Sequence, residues 1–217
     1  MYSVAIDGPA GAGKSTIAKL VGKEFGLMYI NTGAMYRAVA LVASKQGVTA
    51  NEPEKLLEII KDMEMHFEND DLILNGKNIQ DEITLPEISG MVSEYASIPE
   101  VRVELVKLQR LMSEQYDVIM DGRDIGTVVL KDSKYKFFLT ASAEERANRR
   151  YKEFINRGID VNYDELLKDI IKRDHIDSTR KVDPLRKADD ATEIDSSNYN
   201  IQQVVEIICN YIKNDIE

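Results

Sequence analysis

Nine consecutive residues near the start of the chain have the types and spacing of a loop that binds phosphate. They are Gly8, Pro9, Ala10, Gly11, Ala12, Gly13, Lys14, Ser15 and Thr16. Glycine lets the backbone turn so that successive N–H groups point at phosphate oxygens. In the pattern G-x-x-x-x-G-K-[ST], the lysine reaches the β- and γ-phosphates and the hydroxyl is a ligand of Mg²⁺. The segment is therefore predicted to bind a nucleoside triphosphate, with Lys14 on its phosphates and Ser15 on the metal.

The residues on either side of this loop fit the two elements that it needs. The apolar run 4–6 precedes it as a candidate strand, and Ile17, Val21 and Phe25 follow at helical spacing until Gly26. A helix that begins at the loop adds its N-terminal dipole to the binding of an anion. A chance match between a strand and a helix is the alternative, but the full context favours a phosphate loop.

Arginine is the second residue type that indicates phosphate chemistry, because a guanidinium group pairs with phosphate oxygens two at a time. Nine arginines stand out, several at predicted loops or helix ends: Arg37, Arg102, Arg123, Arg146, Arg149, Arg150, Arg157, Arg173 and Arg180. For three of them, Arg149, Arg150 and Arg157, a solvated helix face is an equally good interpretation. Together, the three suit a lid over the phosphates.

The chemistry of a phosphate acceptor explains why no general base stands out. A phosphate oxygen is already a nucleophile at neutral pH, so catalysis reduces to alignment and charge neutralisation. His66 and His175 are the only histidines, and neither has a partner at metal-ligand spacing. A metal site made of side chains alone is therefore not expected. The chain also has no D-x-x-G and no Asn-Lys pair, which disfavours a guanine-nucleotide switch.

Composition narrows the class of protein further. The chain has 217 residues, a formal net charge of −10 and a single cysteine, Cys209. This charge opposes binding to nucleic acid or to an anionic membrane, and one cysteine in this chain can form no internal disulfide. Neither a signal peptide nor a membrane span is predicted. We expect a soluble, cytoplasmic protein that works as a monomer.

Strand and helix patterns alternate along the chain and predict an α/β fold with a doubly wound, mostly parallel sheet. Strands are predicted at 4–6, 28–30, 117–120, 136–139 and 192–195, and one helix at about 163–173 before a dense polar run at 173–180. Pro86 and Pro99 each mark a helix start. Residues 63–84 predict a small antiparallel sheet with a hairpin at Asn75-Gly76, although a flexible polar loop is the alternative.

Four segments, taken together, resemble the bacterial cytidylate kinases, a family of P-loop nucleoside monophosphate kinases. They are the phosphate loop, Thr32-Gly33-Ala34-Met35-Tyr36-Arg37, Asp121-Gly122-Arg123-Asp124-Ile125-Gly126-Thr127, and the block from Arg173-Asp174 to Arg180. The resemblance covers essentially the whole chain. It implies a single P-loop kinase domain over 1–217 with an inserted monophosphate-binding region at about 63–98 and an arginine-rich lid at about 146–162. The implied activity is the ATP-dependent phosphorylation of CMP and dCMP with Mg²⁺.

The resemblance also implies roles for individual residues. Those expected to contact CMP are Thr32, Tyr36, Arg37, Ser93, Arg102, Asp124, Arg173, Asp177 and Arg180. Those expected to contact ATP, besides the phosphate loop, are Arg146, Arg150 and Arg157. Those expected to act in catalysis are Lys14, Arg123, Arg149 and Arg180. Asp124 suits a reader of cytosine, since a carboxylate accepts from the amino group where uracil presents an oxygen.

Three questions stay open on the sequence alone. Asp121 at a strand end either caps the following turn or assists Mg²⁺. The acceptor could be another small molecule such as UMP or shikimate. A third possibility is a binding module that responds to a nucleotide and signals to a protein partner, although the arginines at 173–180 indicate a second phosphate site that such a switch does not need.

Overall fold

The computed structural model describes the backbone of residues 1–216 and the side chains of residues 1–215. Its main sheet has five parallel strands in the order β2-β6-β1-β7-β8. Their bounds are β1 Ser3–Asp7, β2 Met28–Asn31, β6 Val118–Gly122, β7 Tyr135–Thr140 and β8 Thr192–Asp195. Three further strands form a separate antiparallel sheet, β3 Met65–Glu68, β4 Asp71–Leu74 and β5 Lys77–Asn78. The predicted fold class is confirmed.

Helices cover both faces of the main sheet. In chain order they are α1 Lys14–Phe25, α2 Thr32–Lys45, α3 Pro53–Lys61, α4 Gln80–Ile83, α5 Pro86–Tyr95, α6 Pro99–Gln115, α7 Ala143–Asn156, α8 Tyr163–Thr179 and α9 Ile201–Ile216. The helix starts at Pro86 and Pro99 are confirmed, each with proline in the first turn, where its missing N–H costs no hydrogen bond. Among the described residues, no helix combines the length and apolarity that crossing a membrane requires.

The alternation of side chains along β1 divides the core into two clusters. Val4 and Ile6 face a cluster that includes residues of α1 and α9, whereas Ala5 faces a larger cluster with residues of α2, α3, α5 and α6. Successive side chains of a strand point to opposite faces, so a strand that is apolar throughout indicates a sheet covered on both sides. The middle of the sheet is therefore buried on both faces, and a polar site can form only at the ends of the strands.

The small antiparallel sheet belongs to the larger cluster rather than to solvent. Met65, Phe67 and Leu72 are buried in that cluster, and the turn at Asn75-Gly76 has positive φ values of 49° and 77°. Such a turn matches the twist of a tight hairpin. The prediction of an antiparallel sheet is confirmed for residues 65–78, and the alternative of a flexible loop is wrong. The end of the predicted range, 63–84, forms the short helix α4 instead.

Two further predicted boundaries need correction, and residue 217 of the predicted domain lies outside the described residues. Helix α8 continues to Thr179, so the polar run at 173–180 lies almost wholly inside a helix instead of following one. The run contains neither glycine nor proline, and nothing in it stops a helix. Strand β6 also extends to Gly122, which carries Asp121 to the end of the sheet nearest the phosphate loop.

Candidate active site

The phosphate loop connects β1 to α1 and is shaped by glycines with positive φ. Gly8, Gly11 and Gly13 have φ of 147°, 79° and 88°, a region that side chains with a Cβ rarely adopt. A Cβ on Gly8 would lie only 2.1 Å from the carbonyl oxygen of Leu139. The loop therefore lies directly against β7, and its shape depends on glycine at this position.

Lys14 is buried at the first residue of α1. Its Nζ donates to the carbonyl oxygen of Pro9 at 2.7 Å, so the side chain curls back over the loop. Burial, and after it the Arg123 guanidinium, lowers the pKa of Lys14 well below its ordinary value. A phosphate bound in the loop would counteract both effects, because its negative charge favours the protonated form of Lys14.

Asp121 joins three elements at the carboxyl end of the sheet. Its Oδ2 accepts from the Ser15 hydroxyl at 2.9 Å, and its Oδ1 accepts from the Tyr29 hydroxyl at 2.7 Å. The Thr32 hydroxyl donates to its backbone oxygen at 2.7 Å. A hydroxyl and a carboxylate oxygen are hard ligands of the type that Mg²⁺ prefers, so the pair formed by Ser15 and Asp121 fits an ion beside the loop.

Next to the loop is a cavity of about 140 Å³ whose wall is strongly cationic, with seven basic side chains and three carboxylates. The basic residues that line it are Lys14, Arg37, Arg102, Arg123, Arg150, Arg173 and Arg180. The carboxylates are Asp121, Asp124 and Asp177, and the other predicted site residues in the wall are Ala10, Gly11, Ser15, Thr32, Tyr36 and Ser93. The guanidinium groups thus come from α2, α6, α7, α8 and the ends of β6 and α8, and they meet beside Lys14.

At one end of the cavity, Asp124 is held between two arginines. Arg102 donates from Nη2 to Asp124 Oδ2, and Arg180 Nη2 lies 3.5 Å from Oδ1. Burial raises the pKa of Asp124 despite both guanidinium groups. The Tyr36 ring lies 5.7 Å from the Arg102 guanidinium. A flat aromatic face beside a carboxylate and two fork-shaped donors is suited to a planar ligand with hydrogen-bonding edges.

A second ion pair links β6 to α8. Arg123 donates from Nε to Asp177 Oδ2 at 2.7 Å, and Ser93 donates from its hydroxyl to Oδ1 of the same carboxylate at 3.2 Å. Burial opposes ionisation of Asp177, but Arg123 and Arg173 outweigh it and hold its pKa below the usual range. Ser93 belongs to α5, so this carboxylate also connects α5 to α8.

Three polar groups in the cavity wall have no hydrogen-bond partner among the described residues. They are the Tyr36 hydroxyl and the Nε atoms of Arg37 and Arg173, all of which are buried. Burial lowers the pKa of Arg37 to about 10 and that of Arg173 to about 9. Arg173 Nε lies 3.9 Å from Asp177 Oδ2, beyond hydrogen-bond distance. Because a buried polar group without a hydrogen bond is costly, these three groups indicate a place for an anion.

The arginines of α7 lie in different surroundings. Arg146 is buried beneath the phosphate loop, where Nη1 donates to the Ala10 oxygen at 3.0 Å and the guanidinium pairs with both oxygens of Asp174. Arg149 donates to the Ser196 hydroxyl and backbone oxygen at 3.1 and 2.7 Å. These two therefore connect the loop to α8 and to the segment after β8.

The other two arginines of this region are less constrained. The Arg150 guanidinium stacks 4.9 Å from the Phe154 ring and lines the cavity. Arg157 is exposed, and its Nη1 lies 3.9 Å from Glu153. Arg157 does not line the cavity next to the loop, and neither do Arg146 and Arg149.

Three residues at the site were not identified from the sequence alone. Tyr29 orients Asp121, and Asp183 accepts from Arg102 Nε at 3.2 Å. Asp7 is buried at the end of β1 and accepts two backbone N–H bonds. Of the three, only Asp7 stood next to a recognised motif, as a charged residue at the end of an apolar strand.

A parallel sheet whose first strand runs into a phosphate loop, beside a cavity lined by arginines, defines a P-loop protein of the α/β kinase type. Known proteins with similar sequences belong to the same class. A sequence model described as "Cytidylate kinase" matches residues 4–214. A cytidylate kinase of Clostridium perfringens is 64% identical over 98% of both chains, and one of Clostridium acetobutylicum is 61% identical over 99% of both. The chain belongs to the cytidylate kinase family.

One solved structure extends the likeness at the level of the fold. It is an uncharacterised protein from Eubacterium ventriosum, which aligns with a TM-score of 0.53 over 98% of each chain at 13% sequence identity. At this identity the likeness concerns the fold alone, so the chemistry of the site has to be argued from its residues.

Proposed function

We propose that this protein transfers the γ-phosphate of ATP to CMP and dCMP. The observation that carries the proposal is that Lys14 of the phosphate loop lines the same cavity as Asp124 and as Arg37 and Arg173, whose Nε atoms have no hydrogen-bond partner among the described residues. The loop suits the phosphates of the donor. The rest of the wall offers a carboxylate for a base and guanidinium groups for a second phosphate.

In this proposal Asp124 selects the base. Its carboxylate accepts from the exocyclic amino group of cytosine, while Arg102 and Arg180 fix the direction of its oxygens. Uracil has a carbonyl oxygen in the same place, which a carboxylate repels. Thr32, Ser93 and Tyr36 complete the wall around the acceptor. Asp177 lies near the sugar and orients Arg123.

Catalysis follows from alignment of two anions. Lys14, Arg123 and Arg180 hold the phosphates that exchange the γ-phosphoryl group. Arg149, which donates to Ser196 in this structure, assists from α7 when the lid closes. A loose transition state spreads negative charge over the transferred group, and fixed cations stabilise that charge without reorganising. Arg37 and Arg173 anchor the acceptor phosphate. The acceptor oxygen needs no general base, since it is ionised at neutral pH.

Mg²⁺ completes the proposed donor site. When bound, it would neutralise negative charge on the phosphates of the donor. Ser15 would be its ligand from the protein, and Asp121 holds that hydroxyl in place. Within the described residues, no cluster of three His, Cys, Asp or Glu side chains could hold a metal by itself. The proposed ion therefore depends on the nucleotide for part of its coordination.

Two regions of the chain complete the proposed enzyme. Residues 63–98 form the inserted acceptor-binding region, and residues 146–162 form a lid that closes over ATP and excludes water. Arg146, Arg150 and Arg157 serve the ATP side of the site. The protein works as a monomer in the cytoplasm on ATP and CMP or dCMP, without nucleic acid or membrane partners.

A panel of acceptors tests this function. The protein is mixed with ATP, Mg²⁺ and each nucleoside monophosphate in turn, and with shikimate, and ADP release is followed while the products are separated. The expected result is fastest release with CMP or dCMP, together with CDP or dCDP. A preference for AMP, or release that does not depend on a monophosphate, would overturn the proposal. A preference for UMP or shikimate would indicate the alternative acceptor, and ATP-dependent retention of a protein partner without turnover would indicate a binding module.

A further inference from the structure

Asp7 is a buried carboxylate that the proposed reaction does not use. It is the last residue of β1, it is followed directly by Gly8 of the phosphate loop, and it is only 3% exposed. Its Oδ1 accepts from the Ile125 backbone N–H at 2.8 Å, and its Oδ2 accepts from the Gly126 N–H at 2.7 Å. Both oxygens of one side chain thus hold a segment more than a hundred residues away in the chain.

The segment held by Asp7 is a short helical turn that begins immediately after Asp124. It spans Ile125–Val129, and the backbone oxygen of Asp124 accepts from Val128 N–H at 2.9 Å. The first N–H groups of any helical turn lack partners within the turn. The side chain that commonly caps them belongs to the preceding residue, but the Asp124 carboxylate makes no such bond and instead faces Arg102 and Arg180.

Asp7 therefore performs the capping that Asp124 would otherwise perform. Two charge-assisted hydrogen bonds fix the backbone on the carboxyl side of Asp124, and the β6 ladder fixes it on the other side, where Asp7 is paired with Gly122. The side chain of Asp124 is left free for the cavity. Because Gly8 follows Asp7 directly, the same carboxylate also sets the distance between the phosphate loop and Asp124.

We propose that Asp7 is a positioning residue for acceptor recognition, which places the Asp124 carboxylate relative to the phosphate loop by capping the turn at Ile125–Val129. The inference rests on the proposed function, since it assumes that Asp124 reads the base. It predicts that a change at Asp7 alters the acceptor side of the reaction more than the donor side, although Asp7 adjoins the donor loop in sequence.

The chain offers a matched control for this residue. Asp117 lies just before β6 and accepts from the Tyr2 N–H at 2.5 Å, at the opposite end of the same two strands. It too is a carboxylate that bonds a backbone N–H between β1 and β6, but it is far from the cavity. Asp117→Asn therefore makes the same change from carboxylate to amide between these two strands, at an exposed residue with one such bond, without touching the site.

The experiment compares Asp7→Asn with Asp117→Asn and the unaltered chain. An asparagine at position 7 keeps the shape but turns one acceptor into a donor that faces a backbone N–H, so one capping bond is lost. We expect Asp7→Asn to raise the KM for CMP by about tenfold and to reduce the preference for CMP over UMP. The KM for ATP should change by less than about threefold, and Asp117→Asn should leave all three quantities within about twofold.

A second measurement does not depend on turnover. Amide hydrogen exchange should become faster at Ile125 and Gly126 in Asp7→Asn, while the amides of the β1 and β6 ladder remain as protected as in the unaltered chain. If Asp7→Asn does not fold, Gly126→Ala decides instead. A Cβ there would lie 3.3 Å from Asp7 Oδ2 and 3.2 Å from Lys136 Cδ, so it strains the same contact while keeping the carboxylate, and its KM for CMP should rise as well.

The outcomes separate the two proposals. If the unaltered chain phosphorylates CMP but Asp7→Asn behaves like Asp117→Asn, or raises the KM values for ATP and CMP equally, the role of Asp7 is wrong and the proposed function stands. If the unaltered chain shows no turnover that depends on CMP, the proposed function is wrong and this inference falls with it. A rise in the KM for CMP alone, with faster exchange at Ile125 and Gly126, supports both.

Discussion

The Ser15 hydroxyl donates to Asp121 Oδ2 at 2.9 Å, so the hydroxyl of the phosphate loop is oriented by the end of a neighbouring strand. On sequence alone, Asp121 could equally cap the turn that follows it. In the described residues its two carboxylate oxygens are taken by Ser15 and Tyr29, and neither bond goes to that turn. The contact connects Asp121 to the phosphate loop, which is the donor side of the site that we propose.

Asp121→Asn should weaken the use of Mg²⁺ without changing the choice of acceptor. An amide removes the charge that favours a cation near Ser15, and it holds the Ser15 proton less strongly. We expect the Mg²⁺ concentration for half-maximal rate to rise by about tenfold or more, with the ratio of kcat/KM for CMP and UMP unchanged. Steady-state rates measured across a Mg²⁺ series, at fixed ATP, give both quantities.

Tyr29→Phe is the matched control for that prediction. It removes the hydrogen bond to Asp121 Oδ1 but keeps the Ser15 contact on Oδ2. Its Mg²⁺ requirement should therefore change far less than that of Asp121→Asn. If the two variants shift the Mg²⁺ requirement equally, or if Asp121→Asn alters the CMP to UMP ratio, then Asp121 does not act through Ser15.

Asp124→Asn should reduce the discrimination of CMP from UMP. An asparagine can donate to the uracil oxygen as well as accept from the cytosine amino group, so it lacks the repulsion that a carboxylate provides. A difference of one good base contact is about 1–3 kcal/mol, so the ratio of kcat/KM for CMP over UMP should fall by between about fivefold and about 150-fold. The KM for ATP should stay within about twofold. An equal loss of activity for both acceptors would contradict the role of Asp124 as a reader of the base.

Much of this architecture follows from patterns in the sequence. The phosphate loop, the five parallel strands and the small antiparallel sheet are predicted by local signals such as glycine spacing, apolar runs and the Asn75-Gly76 turn. The end of α8 is not, because a polar run is read as a loop when its neighbours are unknown. In the fold, Ile170 is buried and Asp177 meets Arg123, so tertiary contacts explain why the helix continues.

The site was harder to predict than the fold, since its contacts join distant segments. The motif around Arg123 and Asp124 identifies two residues but gives no reason to connect them with Asp7 or Asp183. Likewise, Arg146 is one of several arginines on a helix, and only the fold places it beneath the phosphate loop against Asp174. Residue types predict the chemistry of a site, whereas the partners that orient those residues depend on topology.

Asp183→Gly should disturb the orientation of Arg102 while changing the stability of the chain only slightly. Asp183 has φ of 46°, its carboxylate accepts from Arg102 Nε at 3.2 Å, and its backbone oxygen accepts from Arg180 Nε at 2.8 Å. Glycine adopts this φ without strain, which offsets part of the lost ion pair. We expect the free energy of unfolding to change by less than about 1 kcal/mol, but the KM for CMP to rise by about fivefold.

Denaturant unfolding and steady-state kinetics on the same preparations test this prediction. Asp183→Asn is the matched variant, because asparagine tolerates the same backbone conformation and its side-chain oxygen can still accept from Arg102. Its KM for CMP should stay nearer to that of the unaltered chain. If Asp183→Gly leaves the KM for CMP unchanged, the side chain of Asp183 does not orient Arg102 for the acceptor.

Asp7 should also give the stability of the chain a defined dependence on pH. Burial, with a smaller effect of Asp124, raises the pKa of Asp7, and the backbone N–H groups of Gly126 and Ile125 together with Lys14 act against this rise; the net result is a shift from 3.8 to about 7. Since the native carboxyl group binds its proton more tightly than the unfolded one, Asp7 stabilises the fold most below about pH 4. That contribution is lost as the pH rises to about 7.

The prediction is measured as the difference in the free energy of unfolding between the unaltered chain and Asp7→Asn, from urea titrations at several pH values between about 4 and 8. Asparagine does not titrate, so the difference isolates Asp7 from the other acidic groups. It should fall as the pH rises from about 4 to about 7 and then become constant. A difference that rises over this interval would mean that the two backbone hydrogen bonds outweigh burial and lower the pKa of Asp7, and a flat difference would mean that its pKa is the same in the folded and unfolded chains.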